Sequence, residues 1–100
     1  MYLVDEYKDA IEALCRRHGV QRLFAFGSVL SDRFSEQSDV DLLVEFTGVD
    51  LSKYADNYYS FKFALEEMLG HPVDLLESQA IRNPFFKKNI EAQRQLLYAA

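Results

Sequence analysis

The sequence predicts an α/β (α+β) fold in which helices cover a small mixed β-sheet. In three segments, apolar residues recur every three or four positions, as amphipathic helices require. Three short apolar runs alternate with them and are typical of buried strands, which gives the order α-β-β-α-β-α. The chain has 100 residues, of which 49% are hydrophobic. We therefore expect one domain over residues 1–100.

The first half of the chain predicts one long helix, two strands and a short helix between the strands. Gly19 lies where the C-terminal cap of the long helix belongs. Residues 21–26 predict a buried strand that a Gly-Ser pair ends, and a short helix is expected near residues 29–33. Residues 39–46 predict the second strand. The apolar face of the long helix comprises Leu3, Tyr7, Ala10, Ile11, Leu14 and His18.

The second half predicts a long helix, a third strand and a last helix. A turn at residues 47–50 precedes the long helix, and Gly70 follows it. Residues 71–77 predict a strand with a proline near its start, where a missing N–H is tolerated. An Asn-Pro pair at 83–84 is typical of a helix start, so the last helix is predicted over residues 85–98. The apolar stripes of the two helices are Leu51, Tyr54, Ala55, Tyr58, Phe61, Leu65 and Met68 in the first, and Phe86, Ile90 and Leu97 in the second.

Two aspartates interrupt the second predicted strand. Asp39 and Asp41 alternate with apolar residues, so they point to the same side, roughly 6.8 Å apart along the strand. Val40, Leu42 and Val44 point to the opposite side, toward a core. Two neighbouring carboxylates repel each other and resist burial. The pair alone leaves two interpretations open, a solvated strand end or a site for a divalent cation such as Mg²⁺.

Three further features favour the cation site. Gly27 and Ser28 end a strand, and backbone N–H groups at such a turn suit a phosphate. Asp74 lies inside the third strand and joins Asp39 and Asp41 if the second and third strands are neighbours. Three carboxylates on one sheet face are typical of two-metal sites. The spacing is also specific, because ten residues separate the Gly-Ser pair from Asp-Val-Asp.

The motif G-S-x(10)-D-x-D, followed by a later strand aspartate, resembles the signature of the DNA polymerase β-like nucleotidyltransferase superfamily. The short chain resembles the minimal (MNT-type) members of that superfamily. The likeness covers the leading helix, FAFGS, SDVDLLVEF, LGHPVDLLE and the closing IRNPFFKKNIEAQRQLLY. It implies the nucleotidyltransferase fold, which is similar to the polymerase β palm.

The resemblance also implies residue roles. Asp39, Asp41 and Asp74 would be the catalytic carboxylates that bind Mg²⁺, with two ions expected. Gly27 and Ser28 would hold the triphosphate of ATP. Asp74 would share one ion and help to deprotonate the attacking hydroxyl.

One departure from the family pattern concerns the segment after the Gly-Ser pair. Minimal members often carry arginines there, whereas this chain has Val29 and Leu30. Arg33 is the only basic residue before Asp39 and is the expected nucleotide-binding cation. Cations from elsewhere in the chain are the alternatives, namely Lys53, Lys62 and Arg82.

The resemblance implies a partner, since minimal members of this kind are typically antitoxins of HEPN-domain toxins. The implied activity is transfer of AMP from ATP to a tyrosine of that toxin, in an oligomer with it. A second hypothesis is an antitoxin that neutralises its partner by binding, with weak or no catalysis. A third, a small-molecule transferase of the aminoglycoside type, is disfavoured because the chain has no additional helical domain.

Composition and charge argue against several other kinds of binding. A net charge of −5 argues against direct nucleic-acid binding. The acidic N-terminus and the lack of an apolar run of about 20 residues predict a cytoplasmic protein without membrane contact. Cys15 is expected to be a buried structural thiol, and neither histidine has zinc-ligand spacing. Core or interface packing is favoured for Tyr54 and Tyr58, and packing on the sheet for residues 96–98.

Overall fold

The computed structural model describes residues 2–100 and the side chains from residue 3 onward. Its helices are α1 (Tyr2–Glu6), α2 (Lys8–Arg17), α3 (Tyr54–Leu69) and α4 (Pro84–Gln93). Its strands are β1 (Val20–Phe26), β2 (Val40–Phe46), β3 (Val73–Glu77) and β4 (Gln95–Ala99). Single turns of 3-10 helix occupy Gly27–Leu30, Leu51–Lys53 and Ser78–Ala80.

The four strands form one mixed sheet in the order β3-β2-β1-β4. β1 pairs antiparallel with both β2 and β4, whereas β2 and β3 are parallel. The parallel pair requires a crossover, and α3 provides it. The prediction of a small mixed sheet covered by helices is therefore confirmed.

The two faces of the sheet have different cores. The larger core packs α2 and α3 against alternate residues of three strands, among them Leu23, Leu42 and Leu75. The opposite face has a smaller cluster, which consists of Phe24, Phe26, Leu43 and Ile90. Ile90 belongs to α4, so this helix packs against the second face.

The end of the chain differs from the prediction. Residues 85–98 were expected to be one helix, but α4 ends at Gln93 and Gln95–Ala99 is strand β4. The β1 edge explains the difference, since β4 satisfies backbone groups there that a longer helix would leave unpaired. Leu97 and Tyr98 pack against the larger core as predicted, but they do so as part of a strand of the sheet, and Leu96 is 51% exposed.

Smaller corrections concern the helices. The first predicted helix is divided at Tyr7 into α1 and α2. The short helix expected near residues 29–33 is a 3-10 turn at Gly27–Leu30. Leu51, placed on the apolar face of the long helix, is 90% exposed and precedes α3. No helix within residues 2–100 is both long enough and apolar enough to cross a membrane.

Candidate active site

Asp41 lies at the centre of the site because of its position in the sheet. It is opposite Asp74 in the parallel register of β2 and β3, and opposite Phe26 in the antiparallel register of β1 and β2. Asp41 is half-buried, whereas Asp74 is exposed between the buried Val73 and Leu75. The condition on which Asp74 could join the pair, that the second and third strands are neighbours, is thus met.

Asp39 is exposed and lies just before β2, which begins at Val40. Its position is therefore set by the segment that leads into β2, and not by backbone pairing between strands. Val40, Leu42 and Val44 are buried in the larger core. Their burial matches the predicted alternation, in which the aspartates point away from that core.

The pKa of Asp41 is affected by the two aspartates near it. Burial raises the pKa of the Asp41 carboxyl above its ordinary value, and the charges of Asp74 and Asp39 raise it further. Within residues 2–100, no lysine or arginine forms an ion pair with any of these three carboxylates. The protein's own side chains therefore leave their charge uncompensated.

The turn after β1 approaches Asp41 closely. Gly27 has φ of +73°, a conformation that L side chains rarely adopt. A Cβ atom at this position would clash with Oδ2 of Asp41. The turn is closed by Ser31, whose amide and hydroxyl donate to the Ser28 carbonyl at 2.9 Å and 3.0 Å. Glycine is thus required for the turn to lie against the carboxylate.

Ser28 is half-buried, and its hydroxyl has no hydrogen-bond partner in the part of the chain that the structure describes. It is therefore available to a ligand. Arg33 is exposed on the same loop, a few residues further along, and makes no ion pair within residues 2–100. Lys62 was one of the alternative nucleotide-binding cations. Its ammonium instead lies 5.5 Å from the centroid of the Phe63 ring.

The carboxylates have the donor chemistry that Mg²⁺ prefers, but they do not enclose an ion by themselves. In residues 2–100, no group of three or more His, Cys, Asp or Glu side chains is arranged to hold a metal ion. Mg²⁺ is usually bound by one or two carboxylates together with water and substrate phosphates. Asp39, Asp41 and Asp74 therefore fit an open metal site that water and a triphosphate would have to complete.

A cavity of about 670 Å³ lies beside the Gly27–Leu30 turn, but none of the three aspartates lines it. Its lining includes Leu3, Val29, Leu30, Phe34 and His71. The carboxylates are therefore separate from this apolar cavity.

The tyrosines of α3 have structural contacts. Tyr54 donates a hydrogen bond to the Glu77 carboxylate, and Tyr58 donates to the Leu75 carbonyl at 2.5 Å. Both bonds fasten α3 to β3, as expected for packing residues. Tyr59 is 51% exposed and stacks on Phe63 with ring centroids 5.8 Å apart.

The sequence model of the nucleotidyltransferase domain family matches residues 8–97. The chain belongs to the nucleotidyltransferase domain family. A relative from Methanocaldococcus jannaschii, provisionally named a protein adenylyltransferase, is 34% identical over 95 residues, which span 91% of this chain and 94% of the relative. The prediction of a nucleotidyltransferase that resembles protein adenylyltransferases is confirmed.

Solved structures show the same fold for this nucleotidyltransferase chain. A structure provisionally named a minimal nucleotidyltransferase has a TM-score of 0.74 and 32% identity, and the match covers 92% of this chain and 90% of that one. A toxin-antitoxin structure with AMP-PNP has a TM-score of 0.71 at 20% identity, covering 93% and 73% of the two chains. A complex of a tri-AMPylated Shewanella oneidensis HEPN toxin with an MNT antitoxin has a TM-score of 0.61 at 18% identity, covering 96% and 72%. The expected minimal-nucleotidyltransferase resemblance is therefore confirmed.

Proposed function

We propose that the protein is a Mg²⁺-dependent adenylyltransferase that moves AMP from ATP to a tyrosine hydroxyl of a HEPN-domain toxin and thereby neutralises it. The observation that carries the proposal is the register of β2 and β3, which places Asp41 opposite Asp74 with Asp39 two residues away. The adjacent Gly27 turn lies directly against the Asp41 carboxylate, so a phosphate held by the backbone N–H groups of this turn would be close to the carboxylates.

The site residues act by binding, orienting and taking a proton. Gly27 and Ser28 hold the triphosphate, and Arg33 adds a cation from the same loop. Mg²⁺ bound by Asp39, Asp41 and Asp74 would neutralise the triphosphate and polarise its α-phosphorus. Holding the hydroxyl and the α-phosphate in line supplies much of the rate enhancement.

The transfer step is balanced by one bond formed and one broken. The tyrosine oxygen attacks the α-phosphorus, and an O–P bond forms between the acceptor and AMP. The bond from the α-phosphorus to the bridging oxygen breaks, and pyrophosphate leaves with its electron pair. Asp74 receives the proton of the hydroxyl. Tyrosine and ATP thus give AMP-tyrosine, pyrophosphate and a proton.

A protein acceptor agrees with the shape of the site. The carboxylates lie outside the cavity of about 670 Å³, and Asp39 and Asp74 are exposed. An exposed site of this kind suits an acceptor side chain that a partner presents. The M. jannaschii relative is named for transfer to protein, and a structural neighbour pairs an MNT antitoxin with an AMPylated HEPN toxin.

The test uses the full chain, a HEPN-domain protein as the proposed partner, Mg²⁺ and ATP labelled at the α-phosphate. We expect label on the HEPN protein, on tyrosine, and none without Mg²⁺. Asp41→Asn is the loss variant, and Asp50→Asn is the matched control because Asp50 is an exposed aspartate in the turn before α3. Equal labelling by wild type and Asp41→Asn would contradict the proposed site.

One observation favours a second function, neutralisation by binding alone. The first two positions after the Gly-Ser pair are Val29, which is buried, and Leu30, which is half-buried. The triphosphate then has only Arg33 as a nearby cation in this loop. In this case Asp41→Asn would neutralise the partner as well as wild type does, and no label would be transferred.

A further inference from the structure

Two consecutive residues just before β3, His71 and Pro72, attach the segment that leads into β2. The Pro72 carbonyl accepts a hydrogen bond from the Val40 amide at 2.9 Å. His71 adds a side-chain contact, because its Nδ1 lies 3.0 Å from the carbonyl oxygen of Ser38. A carbonyl only accepts hydrogen bonds, so Nδ1 carries the proton and donates it. Ser38 directly precedes Asp39.

A ring contact holds the other end of the same segment. The centroids of the His71 and Phe34 rings are 4.8 Å apart, and the ring planes are tilted by 39°. Phe34 also packs against the larger core, so this contact is anchored. His71 therefore contacts the segment at both of its ends.

Between these ends, the hydrogen bonds that the structure describes for residues 35–37 are local. Ser35 and Ser38 bond to each other, since the Ser35 amide donates to Ser38 Oγ at 3.0 Å and the Ser38 amide donates to the Ser35 carbonyl at 3.0 Å. Bonds within a turn fix its shape but not its place on the sheet. The position of Asp39 thus depends on contacts made by His71 and Pro72, the two residues that precede β3.

We propose that His71 is a positioning residue for the carboxylate site. Its bond to the Ser38 carbonyl and its contact with Phe34 hold Asp39 where its carboxylate can share a metal ion with Asp41. Residues that orient metal ligands in this way affect metal affinity strongly. The inference rests on the proposed function, because the role belongs to the same metal and nucleotide site.

Three substitutions separate the ring from the donor. His71→Phe keeps a ring for Phe34 and removes the donor. His71→Asn keeps an N–H at the position of Nδ1 without the ring, and His71→Gln moves the N–H to the position of Nε2.

His18→Phe is the matched control, because His18 makes the same kind of contacts far along the chain from Asp39. Its Nδ1 is 2.7 Å from the Leu14 carbonyl, and its ring centroid is 5.3 Å from that of Phe61.

The measurement is Mn²⁺ binding by the full chain with a non-hydrolysable ATP analogue, followed by electron paramagnetic resonance. We expect His71→Phe to weaken Mn²⁺ binding about tenfold, and His71→Asn, which keeps the donor but lacks the ring, to restore part of the loss. Amide exchange in the metal-free protein is the second readout, and residues 35–39 should exchange faster in His71→Phe. If His71→Phe does not fold, His71→Gln is expected to show the same loss.

Each outcome distinguishes the two proposals. If His71→Phe binds Mn²⁺ as tightly as wild type does, the positioning role is overturned and the proposed function stays intact. Equal losses in His71→Phe and His18→Phe would also overturn it, since a general loss of stability would explain both. Absence of Mn²⁺ binding by wild type would overturn the metal site itself, and with it this inference.

Discussion

Asp41 combines three properties in one residue. It is paired in register with Asp74, it is half-buried, and it touches the space that a Cβ of Gly27 would need. Asp41→Asn keeps the shape of the side chain and removes its charge. We expect transfer to fall about 100-fold, because the proposed metal site would lose one of its carboxylates. Initial rates of AMP transfer at saturating partner measure this loss, with Asp50→Asn as control.

The same substitution has an opposite effect on stability in the absence of metal. The pKa of Asp41 is raised, so the folded protein binds its proton more tightly than the unfolded chain does. Stability is therefore lost as the pH rises from the unfolded pKa through the folded one. At pH 7 with EDTA, Asp41→Asn should increase the free energy of unfolding by up to about 1 kcal/mol, since solvent screens a half-exposed carboxylate.

Urea unfolding at pH 7 and at a pH below the unfolded pKa of aspartate measures this effect. The gain should disappear at the lower pH, where the carboxyl is protonated in both states. A gain of equal size at both values would mean that the charge of Asp41 is not its cause.

Gly27 and Gly48 form a matched pair for testing the turn. Their φ angles are +73° and +68°, but an added Cβ meets Asp41 at Gly27 and nothing within 4 Å at Gly48. Alanine should cost about 1–2 kcal/mol of backbone strain at either position. Only Gly27→Ala should also reduce transfer, by about tenfold or more. Similar activity in the two variants would show that the approach to Asp41 is unimportant.

Cys15 provides a probe of folding rather than of catalysis. It is fully buried, and burial, followed by the charge of Glu12, raises the pKa of its thiol to about 12. The reactive thiolate is therefore scarce at pH 8. We expect a thiol reagent to modify Cys15 slowly in the native protein and completely in denaturant. Rapid modification under native conditions would contradict a structural thiol.

At the scale of elements, α4 depends on its N-cap. The Asn83 side-chain oxygen accepts hydrogen bonds from the Phe85 and Phe86 amides at 2.9 Å and 3.2 Å. Asn83→Ala should lower the free energy of unfolding by about 1 kcal/mol, which corresponds to about 4–8 °C in Tm. Asn83→Asp keeps the acceptor and should retain wild-type stability. Thermal unfolding by circular dichroism measures both, and an unchanged Tm for Asn83→Ala would contradict the cap.

The strands of the site could be predicted from the sequence because their residues alternate or form apolar runs. The predicted strands at residues 21–26, 39–46 and 71–77 agree with β1, β2 and β3 within two residues at each end. Alternation also assigned Asp41 and Asp74 to the side opposite the core. The sequence could not show that these two strands are neighbours in the sheet. Their parallel pairing depends on contacts between segments that are distant in sequence.

The end of the chain shows why the rest could not be predicted. Phe86 and Ile90 follow helical spacing, and Leu97 continues the same stripe, so the pattern indicated one helix. Strand β4 instead forms because β1 has an edge that Gln95–Ala99 can pair with. Tertiary pairing of this kind overrides local preference for short segments. The contact between His71 and Ser38 was missed for the same reason, since 33 positions separate the two residues.

At the scale of the whole molecule, the fold places uncompensated negative charge beside a glycine turn. The chain carries a net charge of −5, and the three aspartates have no cationic partner within residues 2–100. A site of this kind requires a cation before it can accept a triphosphate. Catalysis by this protein should therefore depend on Mg²⁺.

The mass of the proposed HEPN partner tests the central claim most directly. The partner is produced in cells together with wild-type protein or with the Asp39→Asn/Asp41→Asn variant, and its intact mass is measured. We predict that the partner gains the mass of one or more AMP groups with wild type only, and that the variant binds it without neutralising it. An unmodified partner that both proteins neutralise equally would contradict adenylyl transfer and would establish an antitoxin that acts by binding.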